Sequence, residues 1–161
     1  VSTQSTGEII CKWLQMLVRD QTALLFSYIQ PDGFPKTIWM TLYWSDMLQK
    51  HFCSTLASSN KIKAIHQNDK VSFNVGSMKK YAQIQYICAK AKVLSRITHE
   101  KIYREMYNKY ISVYSSFFKH VENPDYVIFT LDIEDITTYD QNYNQVKYVY
   151  NIEANKDERV R

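Results

Sequence analysis

The run Thr22-Ala23-Leu24-Leu25-Phe26-Ser27-Tyr28-Ile29-Gln30 is followed at once by Pro31-Asp32-Gly33 and then by an aromatic, β-branched return, Lys36-Thr37-Ile38-Trp39-Met40-Thr41-Leu42-Tyr43-Trp44. Proline sets φ for the first turn position and glycine accepts a positive φ, so two β-prone runs separated by these residues read as a β-hairpin. A polar break at Ser45-Asp46 precedes a third strand, expected from about Gln49 to Leu56. Three consecutive strands joined by short turns point to an antiparallel sheet.

Downstream, Ser58-Ser59-Asn60 supplies helix-capping residues before a short helix over Lys61–His66, which Asn68-Asp69 ends. Two more strands are expected, Val71–Val75 and Gln83–Leu94. Thr98 then caps a longer helix in which Ile102, Met106, Tyr110, Ile111, Tyr114 and Phe118 share one face. The last strand is Tyr126–Asp132, with a possible extension to Thr138. Upstream, Ser5 and Glu8 have capping-box spacing, and Ile9, Ile10, Trp13, Leu14 and Leu17 recur at helical intervals, so a first helix ends near Arg19. This order does not alternate as a doubly wound sheet would. It predicts a mainly β fold, an antiparallel barrel with helices plugging its ends. One domain is expected over residues 1–150. Asn, Gln, Lys and Glu take over after Tyr139, so residues 151–161 are expected to form a flexible tail.

Composition narrows the function. The 161 residues are 45% hydrophobic, enough for one domain with a sizeable core. Twenty Lys and Arg stand against 16 Asp and Glu, and the net +4 is spread without a dense basic block, which argues against nucleic acid as a partner. Uncharged runs fall well short of the roughly 20 residues of a membrane span, and no charged-then-apolar stretch opens the sequence. A soluble, cytoplasmic protein is the expectation. Cys11, Cys53 and Cys88 are odd in number and lie in apolar segments, which predicts buried free thiols rather than a disulfide framework. His51, His66, His99 and His120 show no metal-ligand spacing, so no metal site is expected. The Tyr103, Tyr107, Tyr110 and Tyr114 stripe reads as packing, in the core or between subunits.

The chemistry is concentrated in Phe52-Cys53-Ser54-Thr55-Leu56-Ala57-Ser58-Ser59-Asn60-Lys61, where a strand runs through hydroxyl residues into a capped helix start and a cation. Free amides, hydroxyl donors and an ammonium are what a phosphate dianion requires. The same residues also suit a plain helix cap with Lys61 in solvent. Cys53 reads as a small core residue, since no Cys-x-x-Cys accompanies it.

Gln30–Val75 resembles the FMN-binding split barrels, pyridoxamine 5′-phosphate oxidase and its relatives. The matching features are Pro31-Asp32-Gly33-Phe34-Pro35, the strand Trp39-Met40-Thr41-Leu42-Tyr43, Phe52-Cys53-Ser54-Thr55, and Ser59-Asn60-Lys61-Ile62-Lys63-Ala64-Ile65, with a weaker likeness to about Asp140. The resemblance implies an antiparallel split β-barrel with flanking helices, working as a homodimer with the cofactor at the interface. It implies that Ser54, Thr55, Ser59 and Lys61 hold the FMN phosphate, that Asn60 belongs to the same cofactor-binding set, and that the ring lies against Met40 and Thr41. Gln83 and Gln85 are the expected polar groups contributed by the partner. Asn60 stands where the family commonly has Arg, which implies weaker FMN binding. Ile38 and Tyr43 stand where true pyridoxamine-phosphate oxidases carry basic residues, and Arg159 and Arg161 fall in the polar tail. A different small-molecule substrate is therefore expected. Two functions follow from the resemblance, an FMN-dependent oxidoreductase in which the flavin carries the hydride, or a non-catalytic carrier or sensor of flavin or haem. A deazaflavin in place of FMN stays open, as does a barrel kept as a scaffold with an empty site. No catalytic side chain is identified.

Overall fold

The computed structural model describes residues 22–75, 85–109, 123–139, 142–151 and 156–160. The expected N-terminal helix, Gln83, and the far half of the apolar stripe beyond Lys109 lie outside the described residues.

Strand β1 (Thr22–Ile29) turns into β2 (Pro35–Ser45) through the hairpin read from the sequence. Gly33 takes φ +89°, its N–H bonds the Gln30 carbonyl at 2.8 Å, and the Asp32 carboxylate accepts the Phe34 N–H at 3.1 Å. Each turn residue thus does what its chemistry dictates. After β3 (Lys50–Leu56) come helix α1 (Asn60–Gln67), β4 (Lys70–Val75), β5 (Gln85–Val93), helix α2 (Glu100–Lys109) and β6 (Tyr126–Tyr139). The chain ends with β7 (Gln145–Asn151) and β8 (Lys156–Val160).

All pairings are antiparallel. The strand order is β3-β2-β1-β4-β5-β6-β7-β8, and an added β3–β6 pairing closes the first six into a barrel. The length of β6 makes closure possible. Its first residues pair with β3 (Tyr126 with Leu56 through Leu131 with His51), and its last pair with β7. The barrel is split on one side. β2 pairs with β3 only through Tyr43, Trp44 and Ser45, so the edge of β2 from residue 35 to 42 has no strand beside it among the described residues.

Alternation fills the barrel, since successive side chains of a strand face opposite sides. Leu24, Phe26, Val71, Phe73, Ile87 and Phe129 meet inside. Helix α1 plugs one end with Ile62, Ala64 and Ile65 and packs on β1 and β5. Helix α2 covers a second cluster on the outer face, where Tyr103, Met106 and Tyr107 lie on Tyr43, Phe52 and Ile128. The Tyr103 hydroxyl donates to the Leu94 carbonyl at 2.8 Å and accepts the Ile128 N–H at 3.1 Å. The described tyrosines of the stripe therefore pack a core. The segment expected as a flexible tail instead carries β8, in register with β7 from Lys147–Val160 to Asn151–Lys156. A polar strand at a sheet edge needs only backbone partners, which composition does not reveal.

Candidate flavin-phosphate site

The site forms where β3 leaves the barrel and turns into α1. Ser59 occupies the N-cap position with extended backbone (φ −68°, ψ 149°), and its carbonyl accepts the Ile62 and Lys63 N–H groups at 3.2 and 3.3 Å. The Asn60 and Lys61 amides precede these bonds, so they stand outside the helical ladder. No acidic residue occupies the first turn. The helix start is therefore electrostatically suited to an anion.

Three side chains sharpen that character. Lys61 lies half-buried and its Nζ donates to Thr55 Oγ1 at 2.7 Å. Burial is the main influence on its ammonium and lowers its pKa; the sulfur of Cys53 pulls it back up and the charge of Lys36 pushes it down again. The Ser59 Oγ is buried, makes no cap bond and has no hydrogen-bond partner. Such a group costs about 1–3 kcal/mol unless something bonds it. A phosphate oxygen is an acceptor of the kind this hydroxyl lacks, so the residues present fit a phosphorylated flavin. Ser58 is committed elsewhere. Its N–H and Oγ both donate to the Asp125 carboxylate, at 2.9 and 2.8 Å.

The sequence-derived set divides. Thr55, Ser59, Asn60 and Lys61 come together at the helix start. Ser54 neighbours Thr55 in sequence but faces the outer side, with its Oγ 3.3 Å from the Tyr126 hydroxyl. Met40 packs on the barrel core, whereas Thr41 faces outward, and both lie on the open edge of β2. Gln85 pairs with Val75 and points into the interior, 7% exposed, with Oε1 unpartnered. Its row runs through Val75 and Leu24 to Met40, about 14 Å along the sheet. Even-numbered β2 residues share one face, so Lys36 lies on the same face as Ile38 and Met40.

Of the cysteines, Cys53 is fully buried, and burial pushes its thiol up to about 12. Cys88 is exposed, contrary to the expectation of a buried thiol, and no structure is described for Cys11. The Cys88 pKa is also raised, by partial burial first and then by the charge of Asp135 and a hydrogen bond to it. A cavity of about 420 Å³ beside Cys88 and Asp135 is lined from β1, β4, β5 and β6, and none of Thr55, Ser59, Asn60 and Lys61 lines it. Among the described residues no group of three His, Cys, Asp or Glu side chains is placed to hold a metal ion. Among them too, no helix is long and apolar enough to cross a membrane.

A closed antiparallel barrel, split beside its second strand and plugged by a short helix with a basic N-terminal turn, is the fold of the pyridoxamine 5′-phosphate oxidase-like FMN-binding split barrels. The chain is similar to a pyridoxamine 5′-phosphate oxidase-related, FMN-binding protein from Nostoc punctiforme, with a TM-score of 0.74 and 11% identity over 100% of this chain and 98% of that one. It is also similar to General Stress Protein 26 from Bacillus anthracis (TM-score 0.62, 18% identity, 84% and 96% covered) and to the haem storage protein HutZ from Vibrio cholerae (0.58, 12%, 76% and 89%). No protein-family model matches the chain, and no curated protein matches it by sequence.

Proposed function

We propose that the protein binds FMN at the α1 start and the open edge of β2 and serves as a flavin-dependent oxidoreductase on a small molecule. The observation that carries this reading is the buried, unpartnered Ser59 hydroxyl at the start of the helix whose first turn carries Lys61. When bound, FMN supplies the hydride chemistry. The protein's part is to hold the phosphate with Thr55, Ser59, Lys61 and the first helix amides. The exposed backbone edge of β2 near Met40 and Thr41 can hydrogen-bond a ring laid against it. Ile38 and Tyr43 stand at the β2 positions where a true pyridoxamine-phosphate oxidase carries basic residues, which supports a different substrate. The similarity to a haem storage protein favours a second reading, a non-catalytic carrier.

A homodimer belongs to the proposal. Trp39 is 72% exposed on the outer face of the sheet, level with Leu25, Asn74 and Tyr86, whose ring lies 6.3 Å from that of Tyr139. Aromatic area of this kind is what a second copy covers. Sedimentation should give about twice the 19.1 kDa chain mass. The absorption spectrum of the protein purified from cytoplasm tests the cofactor: a flavin spectrum is expected, and a haem spectrum or none contradicts the proposal. Anaerobic bleaching of that spectrum by a nicotinamide cofactor is expected of the oxidoreductase, and failure to bleach favours the carrier.

A further inference from the structure

We infer that Asp125, the residue ahead of β6, is the positioning residue of the anion site: it ties down the loop between β3 and α1 and so confines a bound phosphate to the Asn60 and Lys61 amides. The inference rests on the phosphate reading above and adds to it a residue that acts through Ser58.

The placement follows from register. Tyr126, the first residue of β6, pairs with Leu56, the last of β3, so the residue before one strand meets the residues after the other. Asp125 holds that loop by three bonds. Its carbonyl accepts the Ala57 N–H at 2.7 Å, and its carboxylate oxygens accept the Ser58 N–H at 2.9 Å and the Ser58 Oγ at 2.8 Å. Asp125 is itself seated. Its N–H donates to Asn123 Oδ1 at 3.0 Å across Pro124, and the Asn123 carbonyl accepts the Tyr126 N–H at 3.1 Å and Arg96 Nη1 at 2.7 Å. An Asx turn with a proline at its centre has little freedom. The loop is thereby fastened to the barrel wall beside the start of β6.

This tie decides which donors an anion can find. Every amide between the strand and the helix has a partner within the chain: Ala57 and Ser58 give theirs to Asp125, and Ser59 gives its own to the Leu56 carbonyl at 3.0 Å. The first amides outside these bonds are those of Asn60 and Lys61, next in the chain to the unpartnered Ser59 hydroxyl. Asp125 then acts on a bound anion in two opposite ways. Fixing the loop before the ligand arrives removes an ordering cost from binding. Its negative charge, one residue from the helix start, repels a dianion. A residue that only braced the fold would act on phosphorylated and unphosphorylated ligands alike.

Substitution separates the two effects. Asp125→Ala removes the side-chain tie and the charge together, whereas Asp125→Asn keeps an acceptor for the Ser58 N–H and removes the charge. Both variants are titrated with FMN and with riboflavin, and amide hydrogen exchange is followed over residues 57–61. Asp125→Ala should speed exchange at Ser58, weaken FMN by about tenfold and leave riboflavin within about twofold. Asp125→Asn should hold FMN within about threefold of the wild type. Unchanged FMN affinity in Asp125→Ala, equal losses for the two flavins, or Asp125→Asn as weak as Asp125→Ala overturns the assignment. If Asp125→Ala does not fold, Ser58→Ala replaces it: with one bond of the tie gone, FMN should weaken by about threefold and riboflavin should not, and equal effects or none overturn the assignment. If the wild type binds neither flavin, the FMN reading fails by itself and inorganic phosphate decides the positioning role. Phosphate that slows exchange at Asn60 and Lys61 in the wild type and not in Asp125→Ala upholds it, and equal slowing or none overturns it.

Discussion

Replacing Ser59 by Ala should make the ligand-free protein more stable and its complex with FMN weaker. Serine at an N-cap ordinarily bonds a free helix amide, and its loss costs about 0.5–2 kcal/mol. Here that bond is absent, so the substitution has no cap bond to remove. What it removes is a buried hydroxyl without a partner, whose burial costs about 1–3 kcal/mol. Allowing for the small space left by the lost oxygen, a net gain on the order of 1 kcal/mol remains, or about 2–4 °C in Tm for a chain of this size. In the complex the same hydroxyl donates to a phosphate dianion. Charge-assisted bonds are worth about 1.5–3 kcal/mol, so FMN affinity should fall by roughly ten- to a hundredfold. Circular-dichroism melting of flavin-stripped protein gives the first quantity and fluorescence quenching the second. A Tm lowered by about 2 °C or more, with FMN affinity unchanged, would show that Ser59 is a plain cap and would refute the reasoning.

Three further outcomes follow from the same structure. Alkylation followed by peptide mapping should modify Cys88 and spare Cys53 in folded protein, and Asp135→Asn should speed the Cys88 reaction because the carboxylate raises its pKa. Because the folded pKa of Lys61 lies below its ordinary 10.5, FMN affinity should decline with rising pH before 10.5 is reached, while Lys61→Arg, always protonated, holds its affinity. The stability contribution of Lys61 runs the other way: the unfolded chain binds the extra proton, so the cost of burying the ammonium is relieved as pH rises through the folded pKa. Finally, removing residues 152–161 should leave cofactor content intact, because the barrel closes through β3 and β6 without β8; loss of cofactor would mean that the end of the chain helps to build the site.

The parts of the fold legible in the sequence are those with local punctuation. Pro31-Asp32-Gly33 fixed the first hairpin, and Ser58-Ser59-Asn60 marked the start of α1 to within a residue, because turns and caps are short-range chemistry. β7 and β8 had no such signal. Their polar residues read as a loose end, since an edge strand is held by a neighbour's backbone and not by burial of its own side chains. The site shows the same division. Thr55, Ser59 and Lys61 lie within seven consecutive residues and could be found together. Ser54 could not be separated from Thr55 without knowing which side of β3 faces inward, for a shift of one residue exchanges the two. Ser58 meets Asp125 at the start of β6, and a contact spanning two elements leaves no trace in local spacing.

The central claim is that the start of α1 holds a flavin phosphate, and titration of FMN and riboflavin into wild-type protein and Lys61→Ala tests it most directly. The account predicts tighter binding of FMN than of riboflavin by the wild type, a loss of about ten- to a hundredfold for FMN in the variant, and riboflavin affinity nearly unchanged. Equal losses for the two ligands, or none for either, would contradict it and place the phosphate elsewhere.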